Sequence, residues 1–114
     1  MKFGDWGEEQ AARYVAKMGY EIVERNFRCK AGEIDIIARD GRVLCFVEVK
    51  ARSSLTFGRP SEAITKIKRL HLLRTAQFYL LLHNITESET RIDVIEILKI
   101  GGKTYVNHIE NALG

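Results

Sequence analysis

A chain of 114 residues, 46% hydrophobic and 29% charged, holds enough apolar material for one packed core under a solvated surface, and residues 1–114 read as a single domain. Lys+Arg of 18 against Asp+Glu of 15 leaves a net charge of +3, an excess that permits a polyanionic partner without demanding one. The opening MKFGDWGEEQAARYV lacks the apolar run of a signal peptide, and the longest apolar run, FYLLL at Phe78–Leu82, is too short to cross a bilayer. A cytoplasmic protein with no membrane segment is expected, its Cys29 and Cys45 being free thiols.

The first helix is predicted over Trp6–Met18, with Asp5 as N-cap, Glu8 three residues later in the capping-box position and Gly19 as the stop. YEIVERNFR, from Tyr20 to Arg28, reads as the first strand. GEIDIIARD (32–40) and RVLCFVEVK (42–50) follow as a hairpin turning at Asp40–Gly41. ARSSLTFGRP (51–60) reads as a loop. Pro60 and Ser61 open a long helix to about His83 whose second half is apolar nearly all round, so that deep burial or a subunit interface is expected there. TRIDVIEILKI and KTYVNHIEN make a second hairpin around Gly101–Gly102. The order α-β-β-β-α-β-β predicts an α/β fold, a mixed central sheet of about five strands flanked by helices, with a right-handed parallel crossover between the third and fourth strands.

Charge inside the central hairpin needs a reason, because it is expensive there. With a two-residue turn at Asp40–Gly41, Arg39 faces Arg42 and Asp35 faces Phe46. Alternation then gives one apolar face of Ile34, Ile36, Ala38, Val43, Cys45, Val47 and Val49, and a second face of Glu33, Asp35, Ile37, Leu44, Phe46, Glu48 and Lys50. Asp35 and Glu48 become diagonal neighbours, their side chains rooted roughly 7–8 Å apart, a gap that suits two carboxylates reaching one cation. Mg²⁺ or Mn²⁺ takes such oxygen ligands together with water and substrate phosphate, and the Val49 carbonyl is a third candidate ligand. Lys50 would hold or activate a water, or counter the phosphate charge, which is the equipment of phosphodiester hydrolysis. The plainer alternative is that E-x-K marks a half-exposed strand in a highly charged chain, with Glu33 a solvated neighbour. Glu8 likewise has two readings. It is a capping-box residue, or it heads the inward stripe Glu8, Ala11, Ala12, Val15 and looks into the site, while Glu9 pairs with Arg13.

Arg52, Arg59, Lys66, Lys68 and Arg69 follow the metal strand and would line a phosphate-backbone track, or else form a solvated helix face. Arg91 and Asp93 are expected to form a structural ion pair. His71, His83 and His108 show no ligand spacing. Trp6 and Phe57 are read as packing residues rather than base-stacking ones, and Cys45 as core.

GEIDIIARD…FVEVKAR resembles the core of the PD-(D/E)xK nucleases, the restriction-endonuclease-like fold. The likeness is closer to the bacterial YraN-like family, a relative of the archaeal Holliday-junction resolvases, and extends through GEEQAARYVAKMGYEIVERNFR, FVEVKARSSLTFGRPSEAITKIK, RIDVIEI and HIENAL. The resemblance implies the nuclease core, a divalent metal, Asp35 as first acid, Glu48 as second and Lys50 as the lysine, and it matches Glu8 to the N-terminal helix glutamate of the resolvase branch. Where the superfamily has proline before the acid, this chain has Ile34. The implied function is a metal-dependent endonuclease acting on structured or branched DNA. Its alternatives are a non-catalytic nucleic-acid-binding module of the same fold and a protein-interaction domain docking through the apolar helix. Symmetric cutting of two strands would require a homodimer.

Overall fold

The computed structural model, which describes residues 2–53 and 65–113, orders the chain as α1 (Phe3–Lys17), β1 (Glu21–Cys29), β2 (Gly32–Asp40), β3 (Val43–Arg52), α2 (Lys66–Leu82), β4 (Glu89–Ile100) and β5 (Lys103–Ile109). The five strands lie side by side in sequence order. β1, β2 and β3 form an antiparallel meander, β3 and β4 pair in parallel through the α2 crossover, and β5 returns antiparallel to β4. The predicted α/β class, mixed five-stranded sheet and element order are therefore realised.

Each helix covers one face. Ala11, Ala12 and Val15 of α1 pack with Ile36, Ala38, Cys45, Val47, Ile95 and Ile97. Leu72, Ala76 and Tyr79 of α2 pack with Phe27, Ile34, Ile37, Leu44, Phe46 and Ile92 on the other side. Ile34 departs from the strict alternation that groups it with Ile36. Between the pairs Arg25↔Ile36 and Phe27↔Ile34 stands Asn26 of β1, with φ of +55°, alongside this departure.

The turns and caps differ from expectation in instructive ways. Asp40 pairs with Val43, so the two-residue turn is Gly41–Arg42 rather than Asp40–Gly41. Gly41 takes φ of +60° at the first central position, the place a type II′ hairpin turn gives to glycine. Ile37 consequently faces Phe46, a register two residues from the predicted one. Because the side-chain period is also two, Leu44 and Phe46 keep their side of the sheet and Cys45 and Val47 keep theirs.

Helix α1 starts earlier than predicted, at Phe3, with Lys2 as N-cap and no side-chain cap bond. Asp5 lies inside the first turn, where its charge suits the helix dipole, and Glu8 is thereby freed from the capping reading. Ala51 and Arg52, predicted as loop, extend β3. Helix α2 begins at Lys66, and the Thr65 hydroxyl caps it by accepting the Lys68 N–H at 3.1 Å; the predicted start at Pro60–Ser61 lies outside the described residues. Its second half is not deeply buried. The stripe Leu72, Thr75, Ala76, Tyr79 faces the sheet with the half-buried Leu80 packed beside it, and Phe78, Leu81 and Leu82 face outward. Among the described residues no helix is long and apolar enough to cross a membrane.

Candidate active site

The β2–β3 ladder runs from Asp40↔Val43 to Ile36↔Val47 and stops. The strands part just where Asp35 and Glu48 come next. There a side chain takes over from the backbone, and Asp35 Oδ2 accepts the Val49 N–H at 2.7 Å. A strand residue's N–H and C=O point to the same side, so the Val49 carbonyl looks into the same gap. The predicted trio of Asp35, Glu48 and the Val49 carbonyl is thus brought together, with the two acids as successors in the ladder rather than diagonal neighbours.

Glu48 is only 4% exposed and Asp35 9%. Glu48 Oε1 stands 3.1 Å from Lys68 Nζ and 3.5 Å from Lys50 Nζ. Lys50 is two residues along the same strand and therefore on the same face. Lys68 comes from the first turn of α2, and the Thr65 cap fixes that turn above the sheet. Burial, and next to it the negative charge of Glu48, push the Asp35 carboxyl up to about 7 against the pull of the Val49 N–H, with Glu8 and Glu33 adding to the rise. Burial also raises the Glu8 carboxyl, followed by repulsion from Glu33 and Asp5.

Glu8 reaches this neighbourhood because α1 approaches β3 very closely. A β-carbon on Gly7 would stand 2.6 Å from that of Ala51, so only glycine admits the contact. Gly32 plays the matching part for α2, since a β-carbon there would meet the Thr75 hydroxyl at 3.0 Å.

The donor set fits a hard divalent cation. It offers two adjacent carboxyl groups, one of them pushed up to about 7 by burial and by the charge of the other, and a carbonyl oxygen beside them. Among the described residues no three His, Cys, Asp or Glu side chains converge to hold a metal. Two carboxyl groups and a carbonyl leave positions that water or substrate oxygens would complete.

A buried acid of β4 was not among the expected site residues. Glu96 of β4 is fully buried and lies opposite Lys50 in the parallel register. Its Oε1 accepts a hydrogen bond from Asn107 Nδ2 at 2.6 Å, while among the described residues its Oε2 and the Nε of Arg52 are buried without a hydrogen-bond partner. Burial raises its carboxyl, against the pull of Asn107 and of the Arg52 charge. The signal was present in RIDVIEI, where an acid interrupts an apolar strand as Asp35 and Glu48 do.

Residues 7–97, a span holding Glu8, Asp35, Glu48, Lys50 and Lys68, match the uncharacterised protein family UPF0102. The chain belongs to the UPF0102 family. A UPF0102 protein of Caldicellulosiruptor saccharolyticus is 51% identical over 96 residues, 84% of this chain and 81% of the relative. One from Beutenbergia cavernae is 48% identical over 107 residues, covering 93% and 91% of the two chains. Another from Alkaliphilus oremlandii is 46% identical over 113 residues, 97% of each.

In this UPF0102 chain the residues expected to form a basic track have different surroundings. Lys68 is turned to Glu48, and the half-buried Arg52 lies near enough to Glu96 to pull its carboxyl down. Lys66 and Arg69 are exposed on α2, and Arg59 lies outside the described residues, as does Phe57. Glu33 meets Arg28 at 3.5 Å in an exposed pair that contributes little to stability. Trp6 stacks on Phe3 and packs against the α1-side core. Glu9 pairs with Arg13 as expected and, more closely, with Arg25.

The Arg91–Asp93 pair is real and belongs to a larger buried clamp. Asp93 accepts from Arg91 at 2.9 and 3.0 Å and from the Asn111 N–H at 3.0 Å, and its Oδ2 lies 2.8 Å from His108 Nε2. Arg91 also donates to the Tyr20 hydroxyl at 2.9 Å. Burial alone would raise the Asp93 carboxyl, but the hydrogen bonds with His108 and Arg91 outweigh it and hold the group below its ordinary value.

Proposed function

We propose that this protein is a metal-dependent phosphodiesterase of the PD-(D/E)xK type, with the restriction-endonuclease-like core, acting on nucleic acid and in particular on structured or branched DNA. The observation that carries the reading is the meeting of Asp35 and Glu48 where β2 and β3 part, with Lys50 and Lys68 at Glu48. Asp35, Glu48 and the Val49 carbonyl would hold Mg²⁺ or Mn²⁺. Bound there, the cation would polarise a phosphoryl oxygen and lower the pKa of water.

The chain's own residues supply the rest. Lys50, on the floor of the site, holds an attacking water or faces the developing phosphate charge. Lys68, from the helix above, offers a second ammonium to the phosphate while leaving Glu48 for the metal. Exposed Lys66 and Arg69 continue this positive edge along α2. Glu8 stands at the rim on α1, close enough for its charge to be felt at Asp35.

A second reading has its own observation. The two lysines already compensate Glu48, as a module that binds nucleic acid without cleaving it would require. Incubation with Mg²⁺ or Mn²⁺ and single-stranded, duplex, flap and four-way-junction DNA, alongside RNA, separates the two. Cleavage that is lost in Glu48→Gln supports the enzyme. Binding without cleavage on every substrate supports the module.

A further inference from the structure

We infer that the groove between the C-terminal half of α2 and the β1–β2 turn is a docking site for an acidic, amphipathic segment of another protein. The groove encloses about 670 Å³ and is lined by Arg28, Cys29 and Lys30 on one wall and Arg74, Phe78 and Leu81 on the other. Leu81 is 77% exposed and Phe78 45%. Phe78 is held in place by stacking on the buried Phe27, with ring centroids 6.3 Å apart. Exposed apolar side chains gathered in a concavity and rimmed by charge mark interaction surfaces.

The charge of the rim selects the occupant. Arg28, Lys30 and Arg74 are cationic and no lining residue is acidic. Arg28 shares its charge with Glu33 in an exposed contact. Helix α2 as a whole carries Lys66, Lys68, Arg69 and Arg74 and no Asp or Glu. A second copy of the chain laid on this face would bring like charges together, so the helix is unsuited to pair with itself. Nucleic acid would answer the cations but not the exposed aliphatic Leu81, which offers a phosphate backbone nothing. A membrane surface would press on a protruding face, and these apolar groups line a hollow. A segment with leucine or phenylalanine anchors and Asp or Glu flanks satisfies both sets of groups. Such segments are taken up along helices and beside edge strands, and β1 is an edge strand. This inference is independent of the cleavage reading, whose lysines stand nearer the other end of α2.

The test uses the full chain and two fluorescein-labelled synthetic peptides. One carries Leu and Phe anchors at helical spacing with Asp and Glu between them; the other has Lys in place of the acids. Fluorescence anisotropy at physiological salt is expected to show the acidic peptide binding at least about tenfold more tightly than the basic one. Leu81→Ser and Arg74→Glu, both surface changes whose folding is checked by thermal melts, should each weaken it by about tenfold. Amide shifts on binding should cluster at Arg28–Ala31 and Arg74–Leu81. Equal affinity for both peptides, or indifference to Leu81→Ser, overturns the proposal. So does a concentration-dependent dimer that Leu81→Ser abolishes. Displacement of the acidic peptide by a single-stranded oligonucleotide or by phosphatidylserine vesicles, with the same dependence on Leu81, would assign the groove to those ligands instead.

Discussion

Replacing Asp35 by asparagine should make the protein more stable above neutral pH. A carboxyl whose folded-state pKa is raised from 3.8 to about 7 binds its proton more tightly in the native chain than in the unfolded one. Native stability therefore falls as pH rises from about 4 to about 7 and is level beyond, the opposite of a salt-bridged aspartate. At 1.36 kcal/mol per pKa unit the deficit reaches about 4 kcal/mol, an upper bound because the site relaxes on ionisation. Asparagine carries no charge toward Glu48 and keeps an oxygen for the Val49 N–H. Urea denaturation of both proteins in EDTA should show a gain of about 2–4 kcal/mol for Asp35→Asn at pH 8.5 that shrinks toward zero near pH 4. Added Mg²⁺ should then raise the wild type and leave the variant unmoved, since a ligand stabilises only the state that binds it. A variant no more stable than wild type at pH 8.5 without metal would refute the account of this site as strained by unpaired charge.

Lys50→Met should fold and bind metal through Asp35 and Glu48 while single-turnover cleavage falls by about a hundredfold or more; unchanged cleavage removes the lysine from the mechanism. Gly7→Ala should cost about 1–3 kcal/mol in thermal or urea unfolding, because its β-carbon meets that of Ala51 at 2.6 Å. Adding Ala51→Gly should restore most of it, and a double variant as unstable as the single one would contradict the close-approach reading. For Asp93 the sign is reversed. Its folded pKa is depressed, so its contribution is present above the ordinary carboxylate range and lost as pH falls through the folded value. Asp93→Asn should cost up to about 3–5 kcal/mol at pH 7, because the buried Arg91 loses its two closest carboxylate contacts and keeps the more exposed Asp40 at 3.3 Å, and it should flatten the acid limb of the stability curve.

What could be read in the chain was local. The period-two pattern of GEIDIIARD and RVLCFVEVK carried the faces of the central hairpin, and Gly101–Gly102, both at positive φ, carried the last turn. Gly41 announced a tight turn without saying which of its two central positions the glycine held. The two-residue error this caused left the faces unchanged, Ile34 departing for a reason of its own, but misplaced Asp35 along the ladder. Asp5 looked like a cap because its residue type suits one, whereas Lys2 takes the extended conformation that starts the helix. Lys68 at Glu48 and Glu96 beside Lys50 were beyond such reading. Their meeting depends on where the α2 crossover lands and on the parallel register of β4, which no short window of sequence encodes.

The two buried aspartates of this sheet show why its charges are not all of one kind. Asp93 is met by Arg91, His108 and the Asn111 N–H, and its carboxyl is held down. Asp35 accepts a single N–H among the described residues, faces a second carboxylate, and its carboxyl is pushed up. Burial is common to both; the supply of donors is what differs. A carboxylate placed for stability acquires the partners that Asp93 has. One left short of partners at the end of a ladder, beside another acid and two lysines, weakens the fold unless something outside the chain completes it. On the proposed reading a bound cation would make good that deficit, beside a lysine from the strand and a lysine from the helix that both lie at Glu48. On that reading, the lack of partners makes Asp35 the side chain whose titration should report metal entry.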